Sequence, residues 1–123
     1  MLFPTFYKVT NTQQIDDFKY KFEISLNPNH EIFKGHFPNN PVTPGVCMMQ
    51  IIKELTQSVC EANLQLIQSN NIKFMALINP EVNPDLVLEL DITKSETEVK
   101  VKNTTFFGET TALKLSSVYQ IKK

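Results

Sequence analysis

The sequence lacks several features that define large classes of proteins. It has no apolar run that approaches the roughly 20 residues needed to span a bilayer. Its first residues, Met1 to Pro4, lack the basic segment and long apolar stretch of a secretory signal. Its 12 basic and 13 acidic side chains are spread evenly and give a net charge of −1, so no basic stripe is available for phosphate backbones. We therefore expect a cytoplasmic protein with neither a membrane nor a nucleic-acid partner.

Cysteine is also scarce. Cys47 and Cys60 are far apart in the sequence, and neither has a neighbouring histidine at a ligand-like spacing. This arrangement argues against a zinc site or a redox pair. We expect two buried free thiols, no metal and no cofactor.

The residues that are present predict one domain over residues 1–123. Hydrophobic side chains make up 41% of the chain, which is enough for a packed core. Residues 18–26 alternate apolar and polar, which predicts a half-buried strand. Thr43 is a plausible helix N-cap with Pro44 at the first helical position, and the following pattern is helical to about Asn63.

After this helix the apolar period returns to two. Alternating residues predict strands at 72–78, 86–92, 99–101 and 113–119, with turn signals such as Asn79-Pro80 and Gly108 between them. One long helix, preceded by one or two strands and followed by about four, indicates an α+β domain. The antiparallel sheet must then wrap the helix to bury both apolar faces.

The segment between the first strands and the helix carries the most specific motif. Residues 35–46 contain a histidine, a phenylalanine, three prolines and a glycine just inside the helix. This stretch resembles the signature of the 3-hydroxyacyl-acyl-carrier-protein dehydratases, and the order of elements resembles that family over nearly the whole chain. The resemblance implies the hot-dog fold, a central helix wrapped by an antiparallel sheet.

The resemblance also implies roles for individual residues. His36 matches the catalytic base, and Gly45 matches the residue whose backbone N–H binds the thioester carbonyl, with Phe37, Pro38 and Val46 beside the substrate. The family places an acid fourteen positions after the histidine, facing the histidine of the partner subunit, and this chain has Gln50 at that position. Four residues later, where members often have glutamine, it has Glu54.

This chemistry explains why such residues are needed. Dehydration of a 3-hydroxyacyl thioester removes a proton from C2 and expels the C3 hydroxyl, so it requires a base poised near neutral pH and an acid opposite. The orphan N–H groups of a helix N-terminus suit the developing enolate oxygen. Gln50 cannot release a proton. Because residues i and i+4 share a helical face, we expect Glu54 to replace the acid in part, with Gln50 hydrogen-bonded to it or to the substrate.

Three functions remain open at this point. The first is a dehydratase acting on a thioester of acyl carrier protein or CoA in fatty-acid or polyketide-like synthesis. The second is a catalytically degenerate subunit that binds acyl chains or partners an active subunit, and the third is a hot-dog thioesterase. Structural alternatives also stand: His36 as a loop residue, Gln50 as a plain polar residue, Glu54 as part of a solvated face, and Phe37 and Val46 as core. We expect a homodimer or higher oligomer, or a heteromer with another hot-dog subunit.

Overall fold

The computed structural model describes residues 6–30 and 43–122. Two strands precede a helix and four strands follow it, as the sequence predicts. In chain order the elements are β1 (Tyr7–Gln14), β2 (Lys19–Leu26), α1 (Gly45–Cys60), β3 (Asn63–Phe74), β4 (Asp85–Lys94), β5 (Glu98–Phe107) and β6 (Thr110–Lys122).

The six strands form one antiparallel sheet in the order β1-β2-β4-β5-β6-β3. Strands β1 and β3 are its two edges. The β5–β6 hairpin turns at Gly108, whose φ of +59° is a left-handed conformation that glycine adopts without strain. The central strands β4 and β5 alternate between buried and more exposed residues as far as Ile92 and Thr105, so one face of the sheet is dry and the other is wet.

The core lies between α1 and the dry face of the sheet. The helix buries one stripe of side chains and leaves the opposite stripe open. The sheet contributes buried apolar residues from β2 to β6, and β1 adds the half-buried Tyr7. The buried stripe consists of Cys47, Met48, Ile51, Ile52, Leu55 and Thr56. This arrangement confirms the predicted α+β class with a helix packed inside an antiparallel sheet.

The predicted ends of the helix need correction. Pro44 occupies the N-cap position with an extended backbone, and the helix begins at Gly45. Thr43 is therefore too early to cap it, and its buried hydroxyl makes no hydrogen bond among the described residues. At the other end the helix stops at Cys60, because Glu61 adopts a left-handed conformation with φ of 52° and turns the chain into β3.

The strand after the helix also differs from its prediction. Alternation indicated residues 72–78, whereas β3 runs from Asn63 to Phe74 and residues 75–84 form a connection to β4. The strand is an exposed edge with two irregularities in its pairing to β6, so its side chains do not follow the alternation of a half-buried strand.

Both cysteines are free thiols, Cys47 buried as predicted and Cys60 only half-buried. Burial raises the pKa of each thiol. Within residues 6–30 and 43–122, no three or more His, Cys, Asp or Glu side chains are grouped to hold a metal ion. No helix in this described part is long and apolar enough to cross a bilayer.

Candidate functional site

The predicted site divides into a described part and a part outside the described residues. His36, Phe37 and Pro38 lie outside it, so their roles stay predictions. Gly45, Val46, Gln50 and Glu54 all lie on α1. The described site is therefore the open face of this helix together with what the two sheet edges bring to it.

Gly45 starts the helix and is packed against an aromatic ring from β3. A Cβ atom on Gly45 would lie 2.8 Å from the Cζ atom of Phe74, so any larger residue would displace the ring. The first N–H groups of a helix have no partner within it and lie at the positive end of its dipole. Val46, the next residue, is 73% exposed. The helix start thus offers backbone donors beside an apolar surface, which suits a polarised carbonyl on an acyl chain.

Gln50 and Glu54 are in direct contact one turn apart, as expected. The Gln50 side-chain amide donates to Glu54 Oε2 at 3.0 Å. The other oxygen, Glu54 Oε1, accepts a hydrogen bond of 2.8 Å from the hydroxyl of Tyr7. Glu54 is therefore not simply a solvated residue on the polar face of the helix, because both of its carboxylate oxygens accept hydrogen bonds from side chains at a partly buried surface.

Tyr7 is the site residue that the sequence analysis missed. It begins the edge strand β1, and its neighbour Phe6 is fully buried, with its ring 5.2 Å from that of His30 in an edge-on arrangement. The Phe6 carbonyl also accepts a backbone hydrogen bond of 2.8 Å from Asn27. These contacts fix the start of β1 and thereby the position of the Tyr7 hydroxyl.

The Tyr7 hydroxyl stays protonated over a wide pH range. Burial raises the pKa of Tyr7 well above its ordinary value, and the hydrogen bond to Glu54 and the charge of its carboxylate raise it further. At neutral pH Tyr7 is therefore a neutral donor to Glu54. In the sequence Tyr7 is only an aromatic residue at the start of a strand. Nothing in that pattern indicates that its hydroxyl contacts a residue 47 positions away.

A groove runs along the other side of the open helix face, between α1 and the strands β3 and β6. It encloses about 240 Å³. Its walls are mainly apolar and come from Val46, Met49, Gln50, Lys53, Leu66 and Tyr119. Because Gln50 also touches Glu54, the groove and the carboxyl cluster adjoin each other. An apolar chain in this groove would pass directly beside the polar cluster.

Solved structures of similar fold define the class. The chain superposes on a chain of the dehydratase heterocomplex ApeI:P from Xenorhabdus doucetiae with a TM-score of 0.71 and 18% identity, covering 94% of this chain and 97% of that one. A putative thioesterase from Silicibacter sp. TM1040 gives a TM-score of 0.67 at 13% identity, covering 99% of this chain and 83% of that one. The fold is therefore the hot-dog fold, as predicted.

Sequence relationships define the family within that class. The family model of ApeI-like proteins, described as ApeI dehydratase, matches residues 11–112, so the chain belongs to the ApeI-like dehydratase family. The 3-hydroxyacyl-acyl-carrier-protein dehydratase FabZ of Koribacter versatilis is 28% identical over 131 residues of alignment, gaps included. This alignment covers 98% of this chain and 84% of that protein. FabZ of Sinorhizobium fredii is 29% identical over 96 residues, covering 74% of this chain and 62% of that protein.

Proposed function

We propose that the protein dehydrates a 3-hydroxyacyl thioester, carried by acyl carrier protein or CoA, to the 2-enoyl thioester. The single observation that carries this proposal is the Tyr7–Glu54–Gln50 cluster beside the apolar groove. It supplies a held carboxyl group at the helix face, close to the position where Gln50 replaces the acid of related dehydratases. The family membership supports the same reaction class.

In the proposed reaction His36 takes a proton from C2, and the electron pair of that C–H bond forms the C2–C3 double bond. The C3–O bond breaks, and the oxygen takes a proton from Glu54 of the partner subunit and leaves as water. On the same helix Glu54 lies about 13 Å beyond Gly45, too far from C3 of a thioester bound there. The Gly45 N–H binds the thioester oxygen, on which negative charge develops as C2 loses its proton. The proton on His36 returns to Glu54 through solvent, which closes the cycle.

Tyr7 and Gln50 contribute to the step in which Glu54 gives up its proton. Each donates a hydrogen bond to a different carboxylate oxygen, at 2.8 and 3.0 Å. Hydrogen bonds to a charged group are stronger than bonds between neutral groups. The two donors therefore stabilise the carboxylate that remains once the proton has gone to the leaving hydroxyl. Gln50 cannot itself give a proton, and its role is to hold the Glu54 carboxylate in position.

The test is to incubate the purified protein with 3-hydroxyacyl and 2-enoyl thioesters of both carriers. Formation of the enoyl thioester and release of free thiol are followed together, which separates dehydration from hydrolysis. We expect dehydration that is abolished in His36→Ala and reduced about 10²-fold in Glu54→Gln, the lower range for a lost general acid. Glu96→Gln, at an exposed turn, makes the same chemical change away from the site and should match the parent.

The outcomes separate the alternative functions. Thiol release without enoyl product would identify a thioesterase. Activity that returns only in Gln50→Glu would identify a weakened dehydratase in which Glu54 has no part. If every homomeric variant is inactive, the chain is a degenerate subunit that needs an active partner.

We also propose that the chain assembles through its β3 edge. This edge and the residues after it expose Leu66, Ile67, Ile72, Phe74, Met75 and Leu77, each between 41% and 70% accessible. An unpaired edge lined by apolar side chains is a surface that another strand or subunit covers. The partner is a second copy or another hot-dog subunit, in keeping with the heterocomplex formed by the similar ApeI:P chain.

A further inference from the structure

Among the described residues that line the groove beside the helix, one has a charged side chain, and it lies at the end away from the helix start. Lys53 lines the groove with Met49, Leu66 and Tyr119, and it is half-buried. Along the helix, Lys53 follows Gly45 by eight residues, which at 1.5 Å per residue is about 12 Å. An acyl chain held by its thioester at Gly45 and extended along the groove would therefore bring its far end to the Lys53 ammonium.

The helix itself offers no acid to this ammonium. Its neighbours at three and four residues' distance are Met49, Gln50, Thr56 and Gln57. Each polar neighbour is already engaged: Gln50 donates to Glu54, Thr56 donates to the Ile52 carbonyl at 2.7 Å, and the Gln57 side-chain oxygen accepts from the Leu64 amide at 2.9 Å.

The rest of the described chain leaves the ammonium available as well. Among residues 6–30 and 43–122, the Lys53 ammonium makes neither a hydrogen bond nor an ion pair. Glu54 is its immediate neighbour in sequence, and adjacent residues on a helix do not face each other. A cation that borders an apolar groove without an internal partner favours a ligand that carries the opposite charge at that point.

We propose that Lys53 selects acyl chains whose far end carries a carboxylate or a similar anionic group. The chain would occupy the groove, and its terminal anion would bind the Lys53 ammonium. An acyl chain ending in a methyl group would leave the ammonium without a partner and place apolar atoms against it. This specificity rests on the proposed dehydration, because the groove is taken to hold the acyl part of the substrate.

The first test uses two series of 3-hydroxyacyl thioesters of equal length, one ending in methyl and the other in carboxylate. For chains that span the groove, we expect kcat/KM to favour the carboxylate series about tenfold, as for one charge-assisted hydrogen bond at a partly exposed site. Lys53→Met should remove this preference. Lys100→Met, which makes the same change at an exposed position on β5, should keep it.

The second test does not depend on catalysis. Calorimetry with free dicarboxylic and monocarboxylic acids of the same length should show tighter binding of the dicarboxylic acid by the parent and by Lys100→Met, but not by Lys53→Met. A binding preference without any dehydration would refute the proposed reaction and retain the role of Lys53. Three results would overturn the inference. The parent would show no preference between methyl and carboxylate ends, the preference would survive in Lys53→Met, or neither acid would bind.

Discussion

The hydrogen bond between Tyr7 and Glu54 gives the sharpest prediction about stability. Tyr7→Phe removes only the hydroxyl that donates to Glu54 Oε1 at 2.8 Å and leaves the ring in place. A hydrogen bond to a charged group contributes about 1.5–3 kcal/mol, and because Tyr7 is half-buried we take the lower end. In a Glu54→Gln background the lost bond joins neutral groups and contributes about 0.5 kcal/mol. The two changes should therefore be coupled by about 1 kcal/mol.

The assay is a double-mutant cycle measured by urea unfolding at one fixed protein concentration. With a urea m-value of about 1.5 kcal/mol per molar, a coupling of this size corresponds to a midpoint shift of about 0.7 M. Tyr20→Phe is the matched control, because Tyr20 is also half-buried and packs against the core. Additive effects of Tyr7→Phe and Glu54→Gln, within about 0.3 kcal/mol, would refute the reasoning.

The same hydrogen bond predicts how stability depends on alkaline pH. The pKa of Tyr7 is raised in the folded protein above the value of about 10 that it has in the unfolded chain. The unfolded state therefore releases this proton first, and the contribution of Tyr7 to stability is complete below pH 10 and lost as the pH rises beyond it. Tyr7→Phe should flatten this decline, leaving the parts due to Tyr119, Cys47 and Cys60, whose pKa values burial also raises. An unchanged slope above pH 10 would contradict the assignment.

Two further variants test the helix start and the exposed edge. Gly45→Ala brings a Cβ atom to 2.8 Å from the Phe74 ring, which is 53% exposed and can swing away, and alanine is the better helix former. Its melting temperature should stay within a few degrees of the parent while dehydration falls about tenfold; parallel losses of both would contradict a specific role of the helix start. Ile67→Lys places a charge on the β3 edge and should yield a monomer by light scattering at micromolar concentration, whereas Val9→Lys on the β1 edge should leave the oligomer intact. A parent that is itself monomeric would refute the proposed assembly.

The sequence predicted the middle of the sheet well because burial imposes a pattern there. Strands β4 and β5 have one dry and one wet face, so alternation such as that of Leu86, Leu88 and Leu90 predicts both the strand and its inward side. The helix was predicted for the same reason, from its apolar stripe.

The edge strands of the sheet were predicted less well, because burial imposes no such pattern on them. Strand β1 is exposed along nearly its whole length, and β3 is exposed except at Leu64 and partly at Ser69, so neither needs to alternate. The helix cap was wrong at Thr43 because the conformation of Pro44 decides where the helix begins, and a residue one position earlier cannot reach its first amides.

Of the described site, the contacts within the helix could be predicted from the sequence, and those made by the sheet could not. Gln50 and Glu54 lie four residues apart on one helix, so their contact follows from helical geometry. Tyr7 reaches Glu54 from 47 residues away, because the sheet returns its edge to the open face of the helix. Such a partner depends on tertiary packing and leaves no local pattern. The place of Lys53 was unpredictable for the same reason, because only the packing of Leu66 and Tyr119 against the helix makes it part of a groove.

The pairing of β3 with β6 has a consequence for how the protein forms. Residues 63–74 find their only described strand partner some fifty positions later, in residues 113–122. A ribosome releases the helix and β3 well before that partner exists, so one wall of the groove has no support during synthesis. Contacts of this sequence separation close late and slow the search for the native state. The groove between α1, β3 and β6 should therefore be among the last parts to become ordered, and substitutions that destabilise β6 should disrupt it before the remaining sheet.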